Sequence, residues 1–376
     1  MKKLTLISLI TLLLLSLSLS ACQPKWEITV FSEGKQVGLI TRTEVEFYIE
    51  KSSEDTQGVP LGQLLYNLGF TLIEDVAFSL DDEPQNSYVW DEIAEVTTIS
   101  ENGDITVGEQ TFTATSLSIT PSPLSAMIEL SIMDIAPTIA SNLGLPDLPD
   151  AIGEVRTSVN ARHGVMILLD GTQYATLQAM ISEGDLPFLQ SIGEIQQGLT
   201  VYPPVTVAAS AALLTGAPPS VNKVYGHGYR STESTTLFDL AAEAGLSVIA
   251  VEGASLPFNL RNADTTLSGD KDGNGWSDDN IYTNAMDVIA NNMPDLLYIH
   301  FHEVDDMGHS YGPDSDEYHD ALIRVDGYLA DILDALPEDT AIAIFADHGT
   351  HNTADGGNHG SLIASDLIIP IIFLEK

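Results

Sequence analysis

Asp347 and His348 stand side by side after the apolar run 341–346. Such a run reads as a buried strand. The glycine-rich loop that follows carries His351, Asp355 and His359. Carboxylates and imidazoles clustered on a loop after a buried strand suggest a metal site. Other segments must then supply the remaining ligands. Asp170 closes the apolar run 165–169; alone, an aspartate there caps the next helix. Thr206 opens an alanine-rich stretch ending in Thr215-Gly216. Alone it is a helix-starting threonine, but free N–H groups and the dipole at a helix start also favour a phosphoryl group. Asp305 and His309 lie in Asp305-Asp-Met-Gly-His309, which alone could be a turn with a surface histidine. Each plain reading is respectable singly, but their joint occurrence in this order is improbable.

The elements that must position these residues alternate. From Gly164 onward, expected strands at 165–169, 246–251, 296–301, 341–345 and 368–373 are interleaved with expected helices. The helices fall at 173–182, 206–214, 234–244, 280–291 and 316–336. This pattern predicts an α/β fold, a mainly parallel sheet sandwiched by helices. Sites in such sheets lie beyond the carboxyl ends of strands. Asp170, Asp305 and Asp347 each come at, or a few residues past, such an end. His300 and His302 share one face of a strand and read as supporting or merely packed. His351 and His319 read as solvent-facing, and His163 as linker.

Residues 23–120 read as a smaller, β-rich N-terminal domain. The stretches 26–31 and 43–49 alternate with period two. Residues 101–104 look like a hairpin turn between 95–99 and 105–112. Residues 58–69 read as a short helix closed by Gly69. Residues 121–160 read as a linker with one helix, roughly 125–142, and 161–376 as the catalytic domain.

With 376 residues, 44% of them hydrophobic, the chain has length and apolar content for two domains. It carries 14 basic against 54 acidic residues, a net charge of −40. Binding to nucleic acid is therefore not expected. A phosphate ester would be repelled as well, unless bound cations reverse the local field. The first 22 residues read as a signal segment: Lys2 and Lys3, an apolar run, then Leu19-Ser20-Ala21-Cys22. That ending resembles a bacterial lipobox, which implies cleavage before Cys22 and acyl chains on it. The expected location is a bacterial membrane surface, outside the cytoplasm, held by lipid. Cys22 is the only cysteine, so no internal disulfide or cysteine-based metal site is expected.

The ordered set Asp170-Gly, Thr206 before Thr215-Gly216, Asp305-x-x-Gly-His309, Asp347-His348-Gly and His359-Gly resembles the alkaline phosphatase superfamily. Within it, the set is most similar to type I phosphodiesterases and nucleotide pyrophosphatases, with phosphonoacetate hydrolase nearby. The resemblance implies two zinc ions, one held by Asp305, His309 and His359. The other would be held by Asp170, Asp347, His348 and the Thr206 hydroxyl. It implies Thr206 as the nucleophile, a phospho-threonine intermediate, and hydrolysis of phosphate diesters or pyrophosphates. Alternatives on the same metals are a phosphomonoesterase, a phosphonate hydrolase, or a transferase of phospho-alcohol headgroups. A non-catalytic surface-binding lipoprotein is disfavoured, since a degenerate site should have lost some ligands. The chain departs from the family after Thr215-Gly216: Asn222 stands near the usual histidine and His227 near the usual asparagine. Both are candidate substrate contacts. The segment 134–146 resembles one that superfamily members carry after their last ligand, so it is expected beside the C-terminal strand.

A separate acidic loop resembles the first nine positions of a calcium site. Asp270, Asp272, Asn274, the Trp276 carbonyl and Asp278 supply the oxygens, and Gly275 takes the sixth position. Position twelve is Ile281, where an EF-hand has glutamate. An acidic surface turn is the alternative reading.

Overall fold

The computed structural model describes residues 25–51, 58–193 and 195–376. The expectation at Cys22 lies outside these residues. The chain forms two compact units, one running to Leu64 and resuming at Asp75–Thr120, the other Leu65–Glu74 with Pro121–Lys376.

The smaller unit is β-rich. One sheet has the order Lys35–Thr41, Glu27–Ser32, Ser116–Pro121, Ile73–Leu80, Glu83–Val89. A second joins Val59–Pro60, Thr97–Ile99, Asp104–Val107 and Gln110–Thr113. The expected 105–112 strand is thus two strands, because Gly108 turns at φ +57°. The expected strand at 43–49 is instead the helix Arg42–Lys51. Its alternation also allows an i,i+4 pair, and Arg42 Nε meets Glu46 Oε1 at 2.7 Å. The short helix Leu61–Asn67 is followed by Gly69 at φ +93°, as its glycine requires.

The larger unit is built on an eight-stranded sheet. The order is Leu130–Ser131, Gln196–Leu199, Ile368–Glu375, Thr340–Phe345, His163–Leu169, Leu296–Phe301, Val248–Glu252, Asp264–Leu267. His163–Leu169 lies at its centre, parallel to both neighbours. Every residue of that strand is buried, and its side chains alternate between two cores. Met166 and Leu168 pack with the helices Ile135–Asn142, Thr206–Thr215 and Leu237–Glu243. Val165, Ile167 and Leu169 pack with Tyr174–Glu183, Asp278–Asn292 and Asp316–Ala335. Burial on both faces explains the near-continuous apolar runs. The last strand, Ile368–Glu375, runs antiparallel to both neighbours. The chain from Ala346 to Leu367 stays at the carboxyl end of the sheet and re-enters from there.

Residues 121–160 do more than connect. The expected single helix at 125–142 is broken into two 3-10 turns, a short strand and the helix Ile135–Asn142. Leu130–Ser131 pairs with Gly198–Leu199, and Ser131 and Asp134 form a capping box. Buried Asp134 accepts from Glu154 N at 2.7 Å and Arg156 Nε at 2.8 Å. Ile135 and Ile139 share a core with Ile369 and Ile371 of the C-terminal strand, so this helix does lie near it. His163 is no linker residue: it opens the central strand, buried, with Nδ1 2.7 Å from Pro294 O. Among the described residues no helix is long and apolar enough to cross a membrane.

Candidate metal centre

Asp170 leaves the central strand at its carboxyl end and is buried. Asp347 and His348 follow the adjacent strand Thr340–Phe345 by two and three residues, and are fully buried. Thr206 is the first residue of the helix Thr206–Thr215. That helix is alanine-rich and buried almost throughout, so small side chains let its N-terminus reach the end of the sheet. The four groups meet. His348 Nε2 is 3.4 Å from Asp170 Oδ1, 3.4 Å from Asp347 Oδ2 and 3.3 Å from Thr206 Oγ1. His348 Nδ1 lies 3.1 Å from Gly349 O. A carbonyl only accepts, so Nδ1 carries a proton there, and Nε2 is the nitrogen that faces the carboxylates.

A second group adjoins the first. Asp305 and His309 are one turn apart on the helix Glu303–Tyr311, with Oδ2 and Nε2 3.4 Å apart. His359, on the loop after the hairpin His351–Thr353 and Gly356–Asn358, brings Nε2 3.1 Å from His309 Nε2. The same nitrogen is 3.7 Å from Asp305 Oδ1. Its Nδ1 donates to Pro204 O at 2.9 Å. The rings of His348 and His359 stack at 3.7 Å, so the two groups share one pocket. All seven expected residues converge there.

The donor set fits a pair of cations. Asp170 Oδ1, Asp305 Oδ1 and Asp347 Oδ2 are buried without a hydrogen-bond partner. Unpaired buried carboxylate oxygens are costly. Ligands about 2.0–2.1 Å from a tetrahedral ion sit about 3.3 Å from one another, and the spacings above bracket that value. Charge points the same way. Burial, then Asp347 and Asp305, push the Asp170 carboxyl well above its usual range. Burial opposes a charged His348, yet Asp347, Asp170 and Asp305 raise it to about 9. Such crowding draws a proton to the place where a cation would balance the charge.

Two candidate substrate contacts fare differently. His227 is exposed and in electrostatic reach of the pocket: burial, Arg230 and His348 lower its pKa. Asn222 is buried, and both ends of its amide are consumed, by Ala217 O at 2.8 Å and Val224 N at 3.0 Å. Its amide holds the turn. His351 is not solvent-facing: its Nδ1 is 2.7 Å from Asp366 Oδ1. The 270–279 loop does not assemble the expected calcium ligands. Asp270 and Asp272 accept from backbone N–H groups of Gly273, Asn274 and Gly275. Asp278 is buried elsewhere, accepting from His302 N and Glu303 N. Trp276 lies under the Arg324 guanidinium at 3.8 Å.

Sequence reading missed the support behind Asp170. Buried Glu252, the last residue of Val248–Glu252, holds both His300 and His302, whose rings reach Asp170. The period-two spacing of the histidines was visible, and so was a strand ending beside Glu252, but not that the two strands pair.

Residues 165–246 and 250–368 match the family of type I phosphodiesterases and nucleotide pyrophosphatases. The chain belongs to this family, a branch of the alkaline phosphatase superfamily. GPI ethanolamine phosphate transferase 3 of Saccharomyces cerevisiae is 33% identical over 108 residues, 27% of this chain and 10% of that protein. The Homo sapiens catalytic subunit is 28% identical over 108 residues, 29% of this chain and 9% of that protein. The matched region is thus a tenth or less of these relatives. Among solved structures, phosphonoacetate hydrolase from Sinorhizobium meliloti 1021 has 22% identity and a TM-score of 0.43. It covers 52% of this chain and 59% of its own. The periplasmic domain of EcEptC from Escherichia coli, in complex with Zn, has 15% identity and a TM-score of 0.43 over 57% and 73%.

The pocket depends on close backbone approach. A Cβ on Gly349 would stand 1.9 Å from Ser365 O. Gly349→Ala is expected to cost about 3 kcal/mol, the upper end of the usual range for overpacking, since backbone cannot yield as a side chain would. It should also displace His348. Thermal melting and metal content together check this; a variant with wild-type values in both would refute it.

Proposed function

We propose that this protein is a metal-dependent phosphoryl-transfer enzyme that cleaves a phosphodiester through Thr206 and keeps the phospho-alcohol half on that residue. The observation that carries the reading is the convergence of Thr206 Oγ1 with His348 and two partnerless carboxylate oxygens. Asp170, Asp347, His348 and Thr206 would hold one zinc ion, and Asp305, His309 and His359 the other. Bound there, the ions would ease ionisation of the threonine hydroxyl and offset charge on the attacking and leaving oxygens. Thr206 Oγ1 bonds to phosphorus as the bond to the leaving alcohol breaks. N–H groups of the first turn of Thr206–Thr215 face the phosphoryl oxygens. An acceptor hydroxyl then takes phosphorus from Thr206, restoring the free threonine.

The acceptor separates transferase from hydrolase. The relatives named for ethanolamine phosphate transfer support a phospho-alcohol such as phosphoethanolamine, drawn from a lipid diester. The family also includes phosphodiesterases, for which water is the acceptor. Attachment at Cys22, outside the cytoplasm, belongs to the same proposal and would bring the pocket to lipid. The test is brief incubation of the zinc-loaded protein with phosphatidylethanolamine vesicles, then peptide mass analysis. A phosphoethanolamine adduct on the peptide containing Thr206 is expected. Adduct that persists until an alcohol is added favours transfer, and loss to water alone favours hydrolysis. Turnover of a bis-aryl phosphate without any adduct would overturn the covalent route.

A further inference from the structure

We infer that Asp278 is a positioning residue for the cation at Asp305, His309 and His359, a role that rests on the metal pair proposed above. Asp278 and Glu303 each open a helix, Asp278–Asn292 and Glu303–Tyr311. The residues in cap position, Ser277 and His302, make no side-chain cap of their own. Each helix is instead capped by the first residue of the other. Asp278 Oδ1 accepts from His302 N at 2.9 Å, and Oδ2 accepts from Glu303 N at 3.1 Å. Glu303 Oε1 accepts from Asp278 N at 3.1 Å. Both carboxylates are buried, so a lost bond leaves an orphan N–H at a helix start, which is costly. Negative charge at the two N-termini also suits the helix dipoles.

The helix that Asp278 caps carries two ligands. Asp305 is its third residue, and His309 lies one turn further on. Room for displacement is small. A Cβ on Gly171 would stand 2.5 Å from Asp305 Oδ1, and one on Gly357 would stand 2.5 Å from Gly308 O. The stretch 305–309 thus lies directly against backbone at both its ends, and Asp278 fixes the turn that leads into it. Glu303 Oε2 meets Arg324 Nε and Nη2, each at 3.4 Å. The Trp276 ring, two residues before Asp278, lies 3.8 Å from that guanidinium, a cation–π contact. The end of the acidic 270–279 loop is therefore a brace for the ligand helix.

The test is a cobalt(II) titration of zinc-free protein, followed by visible absorption. Wild type is expected to take two equivalents. Asp278→Ala should keep one at wild-type affinity and bind the other about 10–100-fold more weakly, the usual scale for a group that orients ligands. Asp278→Asn retains one acceptor oxygen and should fall between; it carries the test if the alanine variant does not fold. Added to His309→Gln, Asp278→Ala should weaken nothing further, because both act on the same ion. Asp326→Ala separates positioning from plain stability. Asp326 accepts from Phe188 N at 3.0 Å and Leu189 N at 2.8 Å, the same kind of cap on Pro187–Ser191, a helix without ligands. That variant should melt lower and leave both cobalt affinities unchanged. Asp278 variants that bind both equivalents as tightly as wild type would overturn the inference. So would Asp326→Ala weakening one equivalent as much as Asp278→Ala does. A wild type that takes fewer than two equivalents would remove the metal pair itself, and it is read before any variant is compared.

Discussion

Thr206→Ala is expected to lose phosphodiester turnover by on the order of 10⁴-fold or more while the protein stays folded and metal-loaded. Removing a nucleophile costs this much because the remaining groups can only assist direct attack by water. The variant should fold, since alanine is the better helix former and Val205, not Thr206, holds the cap position without a side-chain bond. The threonine hydroxyl approaches His348 Nε2 at 3.3 Å, and alanine gives up that approach. Thr206→Ser keeps the oxygen and should keep the covalent adduct. Initial rates on a bis-aryl phosphate, with metal content measured on the same samples, check both. Equal rates in wild type and Thr206→Ala would remove Thr206 from the chemistry.

The convergence of seven residues from five segments was legible because their order along the chain leaves little room for the plain reading each has alone. Asp170 and Asp347 come directly after runs too apolar to be anything but buried strands. Such strands, laid parallel, place their carboxyl ends together, as His163–Leu169 and Thr340–Phe345 do. Thr206 was legible as a helix start. What stayed hidden depends on neighbours distant in the chain. Glu252 reads as the end of an ordinary strand, and only the pairing of Val248–Glu252 with Leu296–Phe301 brings it to His300. Asn222 stood near the family's usual histidine as a candidate substrate contact, but nothing local revealed that Ala217 and Val224 use both ends of its amide. Asp278 lay in a run of acidic residues with calcium spacing, yet it turns inward to the start of Glu303–Tyr311. The segment 42–51 failed for the opposite reason. Only Val45 in it is buried, so alternation carried little weight against helical charge pairing.

Removing the metals is expected to lower the melting temperature by about 8–16 °C at neutral pH. An ion present at a thousand times its Kd stabilises by about 4.1 kcal/mol. Each kcal/mol moves the midpoint of a domain of 150–250 residues by about 2–4 °C. The physical source is the partnerless oxygens of Asp170, Asp305 and Asp347, which stay buried when the counter-charge leaves. Acidity should then act oppositely on the two forms. In the metal-free protein, Asp170 has its folded pKa well above the usual carboxylate value, through burial and then Asp347 and Asp305. Its share of stability is full below the unfolded pKa and is lost as pH rises. His348, raised to about 9 against its burial by Asp347 and Asp170, contributes fully below about pH 6.5 and loses that share as pH rises through 9. The loaded protein needs both groups unprotonated, so protons compete with its ions. The gap between loaded and chelated melting temperatures should therefore narrow as pH falls from 9 towards 5. A gap that widens on acidification, or none at any pH, would mean these carboxylates are balanced by something other than a cation.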